Sequence, residues 1–496
     1  MREREIKLAP PPGFQLPDLD GIVSGLSAIT RDPLLVQTTY YDTVDLRLAR
    51  AGASLHSRNH DGWTVELPGI VADGVLVRAE HQVAGVTGHP PVAATDLLRA
   101  YLRTARPGVV ARLRTRRART DLVDATGTRH AEIVDDEVSV LDGRRVALRF
   151  REIEIEITEA ATHELAANLA DALRRGGAGA PDPTPKIVRA LGPRALEPPD
   201  AGPTPPVSKT TTAAEAVRAA ITASVQRLIT HDAGVRLGDE PESVHQARIA
   251  TRRLRSDLRT FRSLVDPTWS TELRAELAWL ADELGAVRDT EVLIELLAAA
   301  ATELGDQGRA AVDRILTRLG HQWETQRVEL LVAMRSPRYG RLLDRLVAAA
   351  GAPVFASDSA ERLASESLPQ LVAGPWRHLR AAVEALDDPP GDAGLHEVRI
   401  RAKRCRYAAE AVTPVVGKPA RRFARRVATV QDVLGAHHDA VIATAWLGET
   451  ATSVEPVDAF AAGMLVGVLR AHEHRARTEW PDVWRAARRR SLRSWW

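Results

Sequence analysis

Two short stretches of the chain share a histidine followed by cations at fixed distances. In each stretch a basic residue stands at +3, two adjacent basic residues stand at +7 and +8, and an arginine stands at +10. The second copy begins 151 residues after the first (396 − 245). Offsets of 3, 7 and 10 follow one stripe of an α-helix, so each copy predicts a helix with a row of cations on one face. The residues are His245, Arg248, Arg252, Arg253 and Arg255, with Arg259 extending the first stripe, and His396, Arg399, Lys403, Arg404 and Arg406.

A second pair of similar segments has nearly the same separation. Leu284–Asp289 is similar to Leu434–Asp439, 150 residues further on (434 − 284). Two motifs at a nearly common offset indicate an internal duplication. A single row of like charges is usually a solvated helix face, but the row is also tolerated when a polyanion neutralises it. Because the pattern occurs twice, we interpret both helices as anion-binding.

The leading histidines, His245 and His396, fit a hydrogen bond to phosphate better than a metal site. No further histidine or carboxylate recurs at ligand spacing inside either motif. The adjacent His437 and His438 are a weaker metal candidate. The face opposite the cations is apolar in both helices and is predicted to be buried. Its residues are Ala247, Ala250, Leu254, Leu258 and Phe261, and Val398, Ala402, Cys405, Ala409 and Val412.

Carboxylates alternate with other residues near both ends of the N-terminal region. Glu3 and Glu5 alternate with Arg4 and Ile6, and residues 152–157 alternate glutamate with isoleucine. This period of two places each carboxylate set on one face of a strand. On a wet outer face the arrangement costs little. Inside a barrel the carboxylates would require divalent cations, and facing bases would hold an anionic phosphate substrate. The candidate bases are Arg58, Arg78, Arg112, Arg114 and Arg116.

The elements that position these residues predict an α+β protein of more than one domain. Residues 1–192 contain many short strands with turn signals and two helical stretches, which predict an antiparallel β-tunnel or barrel with flanking helices. A proline-rich linker covers 193–210. Residues 211–490 have helical periodicity and short connections, which predict an all-α region with two halves built from antiparallel helix bundles, with helices ending at Leu284 and Leu434. For the basic and aromatic tail end, 491–496, the sequence does not decide between disorder and anion binding.

Composition limits the classes of function. The chain has 496 residues and a net charge of only +2, so any polyanion site must be local. The single cysteine, Cys405, excludes an intramolecular disulfide and a cysteine metal cluster. The chain has neither a signal-peptide core nor a run of about 18 apolar residues, so we expect a cytoplasmic protein without membrane association. Aromatics make up 4% and none is interleaved with the cationic stripes, which argues against nucleic-acid binding.

The N-terminal 192 residues resemble the CYTH superfamily, the triphosphate tunnel metalloenzymes. The resemblance implies an eight-stranded antiparallel tunnel that binds Mg²⁺ or Mn²⁺, grips a triphosphate and hydrolyses its terminal phosphoanhydride. The matching residues are Glu3, Glu5, Lys7, Tyr41–Thr43, Gly52–Leu55, Arg58, Gly62–Trp63, Leu67–Pro68, Arg78, Glu80, Arg114, Arg116, Glu152–Glu156 and Pro185–Lys186. The implied metal ligands are Glu3, Glu5, Glu154 and Glu156, with Asp135 or Asp136 as a possible addition. The implied phosphate contacts are Lys7, Arg58, Arg114, Arg116 and Lys186; Glu3, Glu5, Lys7, Arg58 and Lys186 are the implied catalytic residues.

Two positions depart from that family pattern. His56 and Arg58 stand where the family usually has a pair of arginines, and Glu66 stands at the position of a tunnel lysine. At an effective dielectric near 20 and about 4 Å, one charge contact is roughly 4 kcal/mol before desolvation is subtracted. The departures therefore leave open a weakened tunnel, a tunnel with another substrate, and a degenerate one.

Residues 211–490 resemble the CHAD domain, the conserved histidine α-helical domain. The resemblance implies two related four-helix bundles that bind inorganic polyphosphate through the paired histidine-led motifs. A further cationic run, Arg421, Arg422, Arg425 and Arg426, is better interpreted as solvated helix surface.

Together these features predict a polyphosphate-binding protein, associated with polyphosphate granules, whose tunnel takes a triphosphate-containing small molecule or a polyphosphate end. Three alternatives stay open: a non-catalytic polyphosphate-binding scaffold, a CYTH-type adenylate cyclase and a nucleic-acid-binding protein.

Overall fold

The computed structural model describes residues 2–59, 62–72, 75–158, 161–208, 210–304, 309–356, 358–451 and 456–496. The chain divides into two compact units, Met1–Asp200 and Ala201–Trp496. The first unit combines strands with short helices, and the second is built from helices. The predicted fold class, an antiparallel β-tunnel followed by a helical region, is confirmed.

The strands of the first unit form one antiparallel sheet that closes on itself. They are β1 (Arg2–Leu8), β2 (Ser27–Asp42), β3 (Ser54–Arg58), β4 (Gly62–Glu66), β5 (Ile70–Ala72), β6 (Val75–Val83), β7 (Gly108–Val123), β8 (Arg129–Asp142) and β9 (Arg145–Ile157). Their order is β1-β9-β8-β7-β2-β3-β4-β6-β5, and β1 also pairs with β6. In the described part of the chain, eight strands therefore form a closed barrel, and β5 adds to β6 outside the ring.

The alternation on β9 separates two environments. Ile153 and Ile155 are fully buried in an apolar cluster with Leu169 and Leu173 of a helix outside the barrel. The intervening glutamates therefore face the barrel interior, because successive side chains of a strand point to opposite faces. The interior position of the carboxylates, one of the two placements that the sequence allowed, is the one that the fold adopts.

Five short helices surround the barrel. They are α1 (Arg47–Arg50), α2 (Val92–Leu97), α3 (Arg99–Leu102), α4 (His163–Arg175) and α5 (Lys186–Leu191). Helix α5 begins directly after Pro185, a residue whose fixed φ suits the start of a helix. Its buried Ile187 and Val188 pack in a cluster with Leu113 and Val138 of the barrel, which positions Lys186 at the barrel interior.

The helices of the second unit begin at strong local signals. Thr212 and Glu215 form a reciprocal capping box, and Asp266 accepts a hydrogen bond from the Trp269 backbone amide at 2.7 Å. The helices are α6 (Ala213–Leu237), α7 (Pro241–Thr260), α8 (Pro267–Thr302), α9 (Arg309–Arg335), α10 (Pro337–Gly351), α11 (Ala364–Ser367), α12 (Ala373–Glu384), α13 (Asp392–Val416), α14 (Lys418–Ala451) and α15 (Pro456–Ala487).

Helices α7 and α13 carry the two histidine-led motifs and pack against each other. The apolar stripes predicted for both helices are confirmed, since Leu254, Leu258, Val398 and Cys405 are at most 1% exposed. Residues of both stripes belong to the same core cluster. Burial of each such leucine or valine contributes about 1.5–3 kcal/mol, so this shared core fixes the orientation of both cationic faces.

The predicted helix ends at Leu284 and Leu434 are wrong. Helix α8 continues through Gly285, and α14 continues through Gly435. A glycine inside a helix costs about 1 kcal/mol, but the residues on both sides of it are buried here and gain more from a continuous helix. Leu284 and Val287 flank the first glycine, and Leu434 flanks the second.

Candidate functional site

The inward strand faces enclose a space of about 570 Å³, which we call the tunnel cavity. Strand pairing sets Glu5 opposite Glu156 and Lys7 opposite Glu154. The charged residues that line the cavity are Arg4, Lys7, Arg58, Glu66, Arg78, Glu80, Arg117, Arg129, Glu132, Glu154, Glu156 and Lys186. The cavity thus brings together six residues that the sequence named as candidates for the site: Lys7, Arg58, Arg78, Glu154, Glu156 and Lys186.

Two further predicted metal ligands lie on β1. Glu5 is fully buried, and its carboxylate contacts Lys7 at 3.0 Å and Arg78 at 3.1 Å. The side chain of Glu3 lies outside the described residues, although its backbone pairs with Arg78 in the sheet.

Two ammonium groups that line the cavity are surrounded by carboxylates. Lys186 Nζ lies 2.8 Å from Asp136 and Glu154 and 2.9 Å from Glu152. Lys7 Nζ contacts Glu154 and lies 3.8 Å from Glu152. Of the two aspartates that the sequence left open, Asp136 points into this cluster, whereas Asp135 pairs with Arg151 at 2.6 Å on the other face of β8.

These groups hold one another in their charged forms. Burial favours the neutral form of Lys7, but Glu154, Glu5 and Glu152 outweigh it and raise its pKa. Burial likewise opposes the charge of Lys186, whose pKa is raised by Asp136, Glu152 and Glu154. The pKa of Glu154 is lowered well below its usual range because Lys186, Lys7 and Arg117 outweigh burial. The cluster is therefore a network of compensated buried charges.

The predicted phosphate contacts Arg114 and Arg116 do not line this cavity. Both side chains are exposed on the outer face of β7, and Arg116 lies 3.7 Å from the exposed Glu137. Thr115 is buried, so the strand alternation turns Arg117 inward instead. Arg117 bonds both oxygens of Asp136, at 3.0 and 2.7 Å, and lies 3.5 Å from Glu154. Arg117 is therefore a cation of β7 that faces the cavity.

Glu66 and His56, the two departures from the family pattern, both face the interior. Arg78 contacts Glu66 at 3.0 Å, and the Ser54 hydroxyl donates to it at 2.8 Å. Burial would raise the pKa of Glu66, but Arg78, His56 and Ser54 lower it to about 2. Burial, assisted by Arg58 and Arg78, lowers the pKa of His56 to about 3. The pair thus adds a full negative charge and no positive charge, and Arg78 neutralises that negative charge.

The donor chemistry of this cluster fits a hard divalent cation. Glu5, Glu154 and Glu156 supply carboxylate oxygens, which Mg²⁺ and Mn²⁺ prefer. The fully buried Glu152 accepts no hydrogen bond within the described residues, although Lys186 and Arg189 lie near its oxygens. The sequence analysis did not assign Glu152 a role, yet it has the same parity as Glu154 on β9. Lys7 and Lys186 stand among the same oxygens, so a cation and these ammonium groups compete for them.

In the second unit the two motif helices bring their cations onto one surface. We call it the cationic surface and define it by Arg248, Arg252, Arg255 and Arg259 of α7 and Arg399, Lys403, Arg404 and Arg406 of α13. Three guanidinium groups surround the Tyr407 ring: those of Arg252, Arg253 and Arg406 lie 5.7, 5.8 and 4.9 Å from its centroid. Arg253 and Arg406 also contact Glu410, at 2.5 and 3.2 Å.

The cations on this surface repel one another across the two helices. Burial, together with the neighbouring Arg399, Arg252 and Arg248, lowers the pKa of Lys403 to about 8. The pKa of Arg259 falls to about 10 through burial and through Arg404, Arg274 and Arg255. Arg274 of α8 was not predicted, and only the packing of α8 on α7 reveals it. The surface therefore stores electrostatic repulsion that a polyanion would relieve.

The duplicated motifs also make equivalent contacts. Arg248 lies 2.8 Å from Asp289, and Arg399, at the matching position of α13, lies 3.8 Å from Asp439. The histidines differ between copies. The neighbouring residue is what differs. His396 Nδ1 lies 3.1 Å from His438 Nδ1. His245 instead has Arg288 as a neighbour, and burial and Arg288 lower the pKa of His245. In each copy, this arginine–aspartate contact therefore connects the histidine-led motif with the second similar segment, Leu284–Asp289 or Leu434–Asp439.

The remaining basic segments lie elsewhere in the second unit. Arg421, Arg422, Arg425 and Arg426 are exposed on α14. In the tail, Trp496 packs edge-on against Phe423 at 4.9 Å, and Arg493 lies 4.6 Å from the Trp376 ring centroid. The tail end is thus packed on the helical core.

Comparison with known proteins separates the same two regions. The CYTH domain family matches residues 1–180, and the CHAD domain family matches 219–448. An uncharacterized protein of Mycobacterium tuberculosis, Rv2226, is 29% identical over 482 residues, covering 90% of this chain and 89% of its own. Two solved structures are 26% identical. PptA from Streptomyces chartreusis covers 55% of this chain and 100% of its own with a TM-score of 0.46, and the CHAD domain from the plant Ricinus communis covers 59% and 95% with a TM-score of 0.48.

CYTH domains are generally dependent on divalent cations.

Among the described residues, no helix is both long and apolar enough to cross a membrane.

Proposed function

We propose that this chain, a CYTH domain followed by a CHAD domain, binds inorganic polyphosphate on the cationic surface and a metal-chelated triphosphate or polyphosphate end in the tunnel cavity. The observation that carries the proposal is the crowding of cations from both motif copies around Lys403, where burial and the neighbouring arginines together lower the pKa to about 8. A polymer with one negative charge per phosphate would replace this repulsion by attraction along the whole surface. The same binding would recruit the chain to polyphosphate granules.

In the tunnel cavity, Lys7, Lys186, Arg117 and Arg58 would contact the phosphate oxygens. Mg²⁺ or Mn²⁺ held by Glu5, Glu154 and Glu156 would neutralise charge that develops on a transferring phosphoryl group. Lys7 and Lys186 would exchange carboxylate oxygens for phosphate oxygens as the substrate enters. Their raised pKa values keep both groups charged for this role.

A second candidate is a binding protein whose tunnel does not catalyse hydrolysis. The observation that favours it is the ionised Glu66, which contacts Arg78 and so competes with phosphate for this cation. In this alternative the cationic surface functions as proposed, and the tunnel only holds a phosphate chain end.

The deciding experiment measures phosphate release from tripolyphosphate, ATP and long polyphosphate with Mg²⁺ or Mn²⁺. The test variant is Glu5→Gln combined with Glu154→Gln, and the matched control is Glu137→Gln on the outer face of β8. Metal-dependent release that only the test variant loses would support a hydrolase. Absence of release with tight, salt-sensitive polyphosphate binding would support the binding protein. Cyclic AMP from ATP would instead indicate a cyclase, and preference for nucleic acid over polyphosphate would overturn the proposal.

A further inference from the structure

The second copy of the duplicated motif carries a buried histidine where the first copy has valine. Val287 is fully buried in the core, and His437, at the matching position 150 residues on, is 2% exposed. A buried polar group is costly unless a partner satisfies it. Within the described residues, however, Nε2 of His437 makes no hydrogen bond. The position therefore requires a different explanation from core packing.

Two carboxylates from other helices approach the same imidazole nitrogen. Asp392 Oδ1, at the start of α13, lies 3.3 Å from His437 Nε2, and Glu473 Oε1 of α15 lies 3.8 Å from it. One ligand atom from each of the three residues lies within 4.8 Å of the other two. Tetrahedral zinc with ligands at about 2.0–2.2 Å holds them roughly 3.3–3.6 Å apart. The three atoms therefore surround a position that a metal ion reaches with small side-chain shifts.

An arginine currently bridges the two carboxylates. Arg477 Nε lies 3.1 Å from Glu473 Oε1, and its Nη2 contacts Asp392 Oδ1. One guanidinium neutralises only one of the two negative charges, so the cluster keeps a net negative charge when the imidazole is neutral. Nε2 of His437 makes no hydrogen bond within the described residues, which leaves this nitrogen available to a cation.

We infer that Asp392, His437 and Glu473 bind a zinc-class transition-metal ion. One imidazole nitrogen with two carboxylates suits Zn²⁺ or Co²⁺ better than Mg²⁺, which prefers oxygen ligands alone. Asp392 is half exposed, so the remaining coordination positions face solvent. The site joins the first turn of α13, the middle of α14 and α15, and it is distinct from the carboxylate cluster of the tunnel. It is also separate from the His396–His438 pair, because His437 and His438 face different partners.

The test is a zinc titration of the full chain against a chromophoric chelator, in excess Mg²⁺ to occupy oxygen-only sites. We expect His437→Gln to lose one equivalent of zinc relative to the unmodified protein. His474→Gln is the matched control, because His474 is an exposed histidine next to Glu473. Equal zinc stoichiometry in the unmodified protein and His437→Gln would overturn the inference.

A second variant guards against a folding artefact. His437→Val introduces the residue of the first copy, so it should fold and still lose the zinc equivalent. Thermal unfolding reports both points: zinc should raise the melting temperature of the unmodified protein and of His474→Gln, but not that of His437→Val. A zinc-dependent rise of equal size in His437→Val would refute the site. Visible absorption of bound Co²⁺, lost in both His437 variants, would establish nitrogen ligation at this position.

Discussion

The cations of the two regions proposed to bind anions have opposite electrostatic surroundings. In the tunnel cavity, Lys7 and Lys186 are surrounded by carboxylates, and their pKa values are raised. On the cationic surface, Lys403 is surrounded by arginines, and burial and those neighbours lower its pKa to about 8. The tunnel ammonium groups are electrostatically compensated before any ligand binds, whereas the cationic surface is compensated only in part, by carboxylates near Arg248, Arg399 and Arg406. A ligand must therefore exchange partners in the tunnel, but it only has to relieve repulsion on the cationic surface.

The largest effect is expected from reversing charge on the cationic surface. Replacing Arg252, Arg255, Arg404 and Arg406 by glutamate should reduce polyphosphate affinity by about 10³-fold or more. Screening of six to ten phosphate contacts by salt weakens binding on this scale, and reversing four cations removes contacts of the same kind. Fluorescence anisotropy of labelled polyphosphate at several salt concentrations measures both the affinity and the salt slope. Far-ultraviolet circular dichroism should show unchanged helix content.

The control for this change reverses the same number of charges elsewhere on the unit. Arg421, Arg422, Arg425 and Arg426 are exposed on α14, outside the cationic surface. Their replacement by glutamate should lower affinity far less. Equal losses in both variants would mean that net charge, rather than the convergence of the two motif helices, determines binding.

A smaller effect, on stability, is expected from breaking the compensation in the tunnel. Glu154→Gln removes the carboxylate shared by Lys7, Lys186 and Arg117. Removing one partner of a buried ion pair costs about 3–5 kcal/mol, and the remaining carboxylates place this case near the lower value. Hydrogen exchange of peptides from β8 and β9 in the full chain should report the loss.

Glu137→Gln provides the comparison within the same unit. Glu137 is 57% exposed and lies 3.7 Å from an exposed arginine, so its replacement should leave exchange unchanged. Similar exchange rates in Glu154→Gln and Glu137→Gln would show that the buried network contributes nothing to the stability of the barrel.

The sequence predicted the barrel and the inward glutamates because strand alternation is a local property. For β7 it named Arg114 and Arg116 as phosphate contacts, but their side chains are exposed on the outer face, and Arg117 lines the cavity instead. In the structure, the side chains of β7 that face the barrel interior change from apolar to charged along the strand. Leu113 packs with Val138 and Ile187 at one end, and Arg117, with the same parity, reaches the carboxylates further along. Residue types on one face therefore do not stay constant along a barrel strand.

In the helical unit the sequence predicted the cationic stripes but not their convergence. Periodicity identifies the face of one helix, whereas the approach of Arg252 to Arg406 around Tyr407 depends on packing between helices. The His437 cluster was also hidden, because its ligands come from three helices and are separated by at least 36 residues in sequence (473 − 437). The sequence marked the adjacent His437 and His438 only as a weaker metal candidate, and the valine at the matching position of the first copy becomes informative once burial is known.

A moderate effect on ligand affinity is expected when the anion of the tunnel is removed. Glu66→Gln keeps the shape of the side chain and frees Arg78 from one of its two carboxylates. Because the pKa of Glu66 is about 2, the carboxylate is ionised at neutral pH. Removing one like charge from an anion site should raise tripolyphosphate affinity about tenfold, well below the Coulomb limit of roughly 4 kcal/mol. Calorimetric titration measures it, and weaker binding would indicate that Glu66 supports the phosphate site.

The smallest expected effect is a difference between the two regions in proton uptake on ligand binding. At pH 8 about half of the Lys403 side chains are protonated, so polyphosphate binding should take up as much as half a proton. Tripolyphosphate in the tunnel should take up none, because Lys7 and Lys186 are already charged. Calorimetric titrations in two buffers of different ionisation enthalpy measure the uptake.

Without ligand, the folded pKa of Lys403 lies below its usual 10.5, so Lys403 makes the unfolding free energy rise between pH 8 and 10.5.

Lys403→Arg identifies the group responsible for this proton. A guanidinium stays protonated across the same pH range, so the variant should bind polyphosphate with no proton uptake and with similar affinity at neutral pH. Uptake that persists in Lys403→Arg would assign the proton to another group. Uptake by the tunnel ligand would contradict the difference between the regions, since it would mean that the carboxylates around Lys7 and Lys186 do not keep both ammonium groups charged.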